Sequence, residues 1–275
     1  MSKRIAIVAG SGILPLILAK GLEDQGKNPF LIILRGEGDK RLYRFEHCEL
    51  PIFDFSGLIH SLKMARVRRV VLAGGISCRP QLRDLCRNGW ILLKAFPKIF
   101  TALGKGDDTL LRALITLIEG YGFHVLGAQE IFPDLLAPKG ILTKVTSSKH
   151  DKCNILLAAE AARRLGELDI GQAAVAVGGR VVAVEGAEGT DNMLDRVLWM
   201  RSKGSIPRKG GGLVKVMKLT QDERVDLPTI GPKTIENAYK AALSGIAVEA
   251  GHTLILNLEE TIKIADEYTM FIETL

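Results

Sequence analysis

Aromatic residues are scarce, only 5% of the 275, and Arg and Lys do not interleave with them. A stacking platform for single-stranded nucleic acid needs that interleaving, so nucleic acid is not an expected partner. Cysteine is nearly as sparse, with four residues at 48, 78, 86 and 153 forming no C-x-x-C pair and having no His at zinc-finger spacing. Neither a metal knuckle nor a disulfide framework is expected, and a reducing cytoplasm suits the pattern. Long apolar runs are absent: Ile5 to Ala9, the N-terminal one, is too short for a signal-peptide core or for the roughly 20 residues of a membrane span. The five His form no H-x-x-x-H or HExxH pattern, and no G-x-S-x-G elbow or P-loop occurs. Zinc hydrolysis and a serine nucleophile therefore lose support.

What remains has ordinary globular proportions, 47% hydrophobic and 25% charged, in a chain long enough for one large domain or two modest ones. Lys and Arg number 37 against 31 Asp and Glu, a net +6 that mildly favours anionic partners such as phosphates or acidic membrane surfaces. In the first half, short apolar runs without alternation (Ile5 to Ala9, Pro29 to Leu34, Arg69 to Ala73, His124 to Ala128) alternate with periodic helices near 13–25 and 109–119. Unalternating strands are expected where helices cover both faces of a parallel sheet. The expectation is an α/β fold: a Rossmann-like domain with a mostly parallel sheet over 1–132, a Pro- and Gly-containing linker over 133–143, and an α+β domain over 144–275. In the second half Asp151 is expected to cap a helix to about Leu165, and Gly178-Gly179 to turn a β-hairpin. Ile246 to Glu249 and Thr253 to Asn257 read as a second antiparallel pair, with helices near 191–200 and 233–243 between the β elements.

Several stretches carry candidate chemistry. Gly10, Ser11, Gly12 and Ile13 lie between a strand and a helix, where backbone N–H groups and the helix N-terminus can face a phosphate; the plainer reading is a tight turn. Pro15 stands where a dinucleotide fingerprint needs glycine, which disfavours NAD. Gly74-Gly75 ends a later strand on the same expected carboxyl edge. Glu188, Gly189, Thr190 and Asp191 open a helix, where Thr190 or Asp191 serves as N-cap or as a binding group. The loop Gln221 to Pro232 gathers Asp222, Glu223, Arg224 and Asp226, and its carboxylates can hold Mg²⁺ or activate water. Asp226, flanked by Val225 and Leu227, reads as partly buried and is the first choice for catalysis. Gly106-Asp107-Asp108 reads as helix capping. The basic stretch Arg79 to Phe100, with Trp90 and Phe96, reads as a surface helix ahead of a membrane-lying one.

Taken together, AGSGILP at 9–15, GDDTLLR at 106–112, GQAAVAV and VEGAEGTDNML at 171–194, and RVDLPTIGPKT at 224–234 resemble the UDP-2,3-diacylglucosamine pyrophosphatases of the LpxI type. The resemblance spans nearly the whole chain, in order and spacing. It implies Mg²⁺-dependent hydrolysis of the pyrophosphate of UDP-2,3-diacylglucosamine, a lipid-linked nucleotide sugar, to UMP and 2,3-diacylglucosamine 1-phosphate in lipid A synthesis. It also implies a two-domain homodimer holding substrate between its domains, with the catalytic aspartate at Asp226. Gly10 to Ile13, Gly74, Gly75, Gln172 and Glu188 to Asp191 become candidate substrate contacts, Asp226 and Asp222 candidate metal ligands, and Arg224 or Lys149 candidate partners of the leaving phosphate. Cytoplasmic location at the inner face of the membrane follows, as a peripheral association that two acyl chains would require. The rival readings are a non-catalytic nucleotide or UDP-lipid sensor and a nucleotide-sugar oxidoreductase or transferase.

Overall fold

The computed structural model describes residues 4–76, 107–218 and 221–275. Cys78, Cys86, the basic stretch 79–100, Gly106 and Leu219-Thr220 lie outside the described residues, as do the side chains on which capping by Asp107 or Asp108 would rest. The chain divides into two compact units. The first comprises Met1–Pro133 with Asp222–Val225, and the second Asp134–Gln221 with Asp226–Leu275.

The first unit is built on five parallel strands: β1 (Ile5–Ala9), β2 (Phe30–Leu34), β3 (His47–Leu50), β4 (Arg69–Ala73) and β5 (His124–Leu126). Their order is β3-β2-β1-β4-β5. Every residue of β1 and β2 is buried, which explains their unbroken apolar sequence: neither face meets water. Helix α1 (Leu14–Asp24) follows β1 with Pro15 in its first turn, where a missing N–H costs nothing, and buries Leu16, Leu18, Ala19 and Leu22. Among the described residues the unit also has helices α2 (Phe55–Met64), α3 (Asp107–Gly120) and the short α4 (Ala128–Ile131). Because connections run outward on opposite sides of β1 and β4, the carboxyl ends of those two strands form the switch point where open α/β sheets bind ligands.

The second unit is also layered. Helix α5 (Lys149–Glu167) precedes the hairpin of β6 (Ala173–Val177) and β7 (Arg180–Val184); then come α6 (Gly189–Ser202), β8 (Gly212–Lys215), β9 (Thr229–Ile230), α7 (Pro232–Lys240), β10 (Gly245–Val248), β11 (Leu254–Ile255), α8 (Leu258–Glu267) and β12 (Phe271–Thr274). The five-stranded sheet runs β12-β10-β8-β6-β7. Ile155, Ala158, Ala159 and Ala162 of α5 pack one face of it against Ala174, Ala176, Val214 and Phe271. Met193, Leu194, Ile235, Ala238 and Ala265 cover the other face against Val175, Leu213, Ile246 and Ile272. Neighbouring residues along β6 thus serve opposite cores.

The expected hairpin at Gly178-Gly179 forms, both residues taking the positive φ that such a two-residue turn requires, 61° and 77°. The sheet is mixed, since β8, β10 and β12 pair in parallel. Two other expectations are corrected. Ile246 to Glu249 and Thr253 to Asn257 form no hairpin: β10 pairs with β8 and β12, whereas β11 pairs in parallel with β9 in a separate two-stranded ribbon. The stretch read as a linker is integral to the second unit, with Ala137 in its core and Leu136 and Ile141 bridging Leu254 and Glu273. Prolines and a glycine there shape irregular backbone that the β-ribbon and β12 still pair.

Candidate functional site

At the switch point the two glycine turns are joined to each other. The N–H of Gly10 donates to Ala73 O at 2.8 Å, that of Ser11 to Gly75 O at 2.8 Å, and that of Gly75 to Ser11 O at 3.0 Å; the Ser11 hydroxyl also donates to Gly75 O. A Cβ on Gly10 would stand 2.3 Å from Gly75 O, and one on Gly74 2.4 Å from Ser11 O. Glycine is needed here for the approach of one backbone to another. The N–H groups of Gly10 and Ser11, candidates for a phosphate from sequence, are spent inside the turn. The start of α1 is different: Gly12 has φ of 91° with open space about it, and α1 has no side-chain cap. Pro15 has no N–H and that of Leu16 donates to Ile13 O at 3.1 Å, so among the described residues of this helix start the Leu14 N–H is the group that can turn toward an anion.

In the second unit a polar relay is built into the core. Glu185, 7% exposed, accepts from the backbone N–H of Gln172 at 3.0 Å and from the Thr190 hydroxyl. Since that hydroxyl donates to a carboxylate, its lone pairs face the Lys215 ammonium, which donates to it at 2.9 Å and to the Thr229 carbonyl at 3.2 Å. Lys215 is 6% exposed at the carboxyl end of β8. Neither Thr190 nor Asp191 is an N-cap, because Glu188 occupies that position without a side-chain bond. Asp191 instead accepts from Lys233 Nζ at 2.6 Å and Asn237 Nδ2 at 3.0 Å. Burial pushes its carboxyl up, but these bonds and the Lys233 and Lys215 charges outweigh burial and hold it below the usual range. Glu188 pairs with Arg196 and stays out of the relay. Likewise, α5 is capped by Ser148, with Asp151 as the third-residue partner of a capping box.

The acidic loop is held at both ends. Val225 packs on the core of the first unit, and Gln129 donates to Glu223 O at 2.8 Å. Arg224 bonds Asp222 through Nε at 3.0 Å and Nη2 at 2.8 Å, and Glu119 through Nη1 at 2.8 Å. The Asp222 carboxyl is lowered chiefly by this guanidinium, against burial. Immediately after Asp226, Leu227 and Pro228 are buried in the second unit, and Pro228 O accepts from Leu254 N–H at 2.8 Å. Asp226 itself is half-buried.

These partners sort the candidates for a metal. Among the described residues no three His, Cys, Asp or Glu side chains stand together to cage an ion. Mg²⁺ needs only one or two carboxylates where substrate phosphate supplies further oxygens, so Asp226 fits it. Asp222 does not, because both its oxygens are committed to Arg224. Arg224 is in turn neutralised by Asp222 and Glu119, and Lys149 is an exposed residue opening α5.

Glu185 and Lys215 were not singled out from sequence. The available signal was a lone cation inside the apolar run Gly212 to Met217, which a buried strand tolerates only for a reason.

Two solved UDP-glucose 4-epimerase structures show weak likeness. The Thermotoga maritima enzyme with UDP-glucose aligns over 53% of this chain and 41% of its own at 15% identity and TM-score 0.28. The Thermus thermophilus enzyme with NAD aligns over 99% and 85% at 12% identity and TM-score 0.30. Scores this low identify no shared architecture. The sequence comparisons are decisive: residues 4–135 match the LpxI N-terminal domain and 138–273 the LpxI C-terminal domain. The UDP-2,3-diacylglucosamine pyrophosphatase LpxI of Caulobacter vibrioides is 38% identical over 272 residues, 98% of this chain and 96% of that protein. With both halves matched in order and a relative of this identity along nearly its full length, the chain belongs to the LpxI family.

Proposed function

We propose that this protein hydrolyses the pyrophosphate bond of UDP-2,3-diacylglucosamine, releasing UMP and 2,3-diacylglucosamine 1-phosphate in lipid A synthesis, with Mg²⁺ as cofactor. The observation that carries the reading is the near-full-length relation to a protein named for this activity. Asp226 is the catalytic residue of the proposal: a half-buried carboxylate, fixed by anchored neighbours on both sides, accepts a proton from the attacking water. Mg²⁺, when bound at Asp226, supplies charge that neutralises pyrophosphate oxygens and acidifies a water. Taken unit by unit, the substrate contacts of the proposal are the open start of α1 at Gly12 and Ile13 in the first and Gln172 and Asp191 in the second, with Thr190 holding its neighbours in place rather than touching substrate. Gly10, Ser11, Gly74 and Gly75 contribute the shape of their turn, and Glu188 lies at the rim.

The same reading makes the protein a cytoplasmic homodimer, peripheral to the inner membrane where its diacyl substrate resides. Among the described residues no helix is long and apolar enough to cross a membrane. The test is UMP release from UDP-2,3-diacylglucosamine with Mg²⁺ or EDTA, for wild type and Asp226→Asn. Metal-dependent release that falls at least about 100-fold in the variant is the expected outcome; no release from folded wild type overturns the proposal. Sedimentation with and without anionic vesicles at low salt checks the dimer and the membrane association.

A further inference from the structure

The second unit buries a cation that has, among the described residues, no carboxylate in direct contact. Among the described residues Lys215 makes two hydrogen bonds, to the Thr190 hydroxyl and the Thr229 carbonyl, both neutral acceptors, and no ion pair. A carboxylate is present, that of Glu185, but Thr190 stands between it and the ammonium. Buried ammonium groups are costly unless paired, and here the described residues engage two of the three N–H donors, both with neutral oxygens.

The relay also fixes where the ammonium sits. The backbone N–H of Gln172 and the Thr190 hydroxyl together hold Glu185, which leaves Thr190 no lone-pair role except toward Lys215. The other anchor, Thr229, is three residues beyond Asp226 in the same segment. The ammonium thus lies beside the first turn of the fourteen-residue α6, on a residue of the segment that carries Asp226.

Resting on the proposed hydrolysis, we infer that Lys215 is an additional phosphate-binding residue of the reaction, its third N–H meeting a pyrophosphate oxygen, with Thr190 and Glu185 as positioning residues. As water oxygen bonds to phosphorus and the bridging P–O bond breaks, the electron pair stays on the leaving phosphate. Lys215 keeps its protons and offsets the charge that gathers there. The direct partner missing in the folded protein is the substrate itself.

The experiment reads binding apart from turnover. Inorganic pyrophosphate is titrated into wild type, Lys215→Met and the surface control Lys263→Met, which carries the same charge change at an exposed site. Expected is a loss of pyrophosphate affinity of about 30-fold in Lys215→Met, with kcat reduced further, and no change in the control. A folded Lys215→Met that binds pyrophosphate like wild type overturns the inference, whatever its melting temperature, because a purely structural lysine would lower stability alone. Should that variant not fold, Thr190→Val is the second arm: the ammonium stays but loses its guide, and affinity falls about tenfold; unchanged affinity is again fatal. Wild type that binds pyrophosphate through Lys215 yet releases no UMP sinks the hydrolase reading and leaves the phosphate site standing.

Discussion

Single residues in the two loops are held by opposite means, steric at the glycines and electrostatic at the acidic loop. Gly74 has φ of 90° and a neighbouring carbonyl where a Cβ would go, so Gly74→Ala should cost about 2–3 kcal/mol in urea unfolding. Gly12 shares the positive φ but has open space, and Gly12→Ala should cost only about 1 kcal/mol. The difference between the two variants measures the contact between the turns. Asp222 responds to pH. Its folded carboxyl titrates below the ordinary value of 3.8, so its bond to Arg224 stabilises the protein above that value and is lost as pH falls through the lowered one. Asp222→Asn should therefore be less stable than wild type by about 1 kcal/mol at pH 7, with the gap closing below about pH 4 in parallel thermal melts. Asp226 was legible at this scale because apolar neighbours on a charged loop imply partial burial. Lys215 was not, since nothing local says that Thr190, 25 residues earlier, meets it with Glu185 behind.

Among elements, strands lying in an apolar run beside a turn signal could be read from composition, whereas the short β3, β8, β9 and β12 could not. β1 and β2 are unbroken apolar runs and β4 is one after Arg69, whereas β3, His-Cys-Glu-Leu, carries its pairing in the backbone alone and has no sequence signature. Periodicity located α1, α3, α5, α6 and α7 to within a few residues. Partner choice was beyond it: β10 and β11 look like a hairpin because they are close in sequence, yet longer-range parallel pairing with β8, β12 and β9 wins. Caps were misplaced by the same local ambiguity, Asp151 being the reciprocal half of a box whose first half is Ser148. Ser148→Ala should accordingly destabilise by about 1 kcal/mol, seen as a lower urea midpoint with unchanged slope.

At the scale of the whole molecule, the two halves expected from sequence correspond in order to the two units, but the boundary is not a single point. The chain leaves the second unit after Gln221, contributes Asp222–Val225 to the first, and returns at Asp226. Nothing in those four residues announces this; it becomes visible only when Glu119 and Gln129, about a hundred residues earlier, are found holding Arg224 and Glu223. The arrangement bears on how such proteins recombine. Exchanging N-terminal halves between two relatives at residue 133 brings Glu119 and Gln129 from one parent and Asp222–Val225 from the other. A chimera made at that junction should melt lower than one in which the four residues travel with their own N-terminal half. Inheritance by domain is therefore not inheritance by contiguous sequence here, and the smallest exchangeable module of the first unit is a long segment plus a four-residue insert.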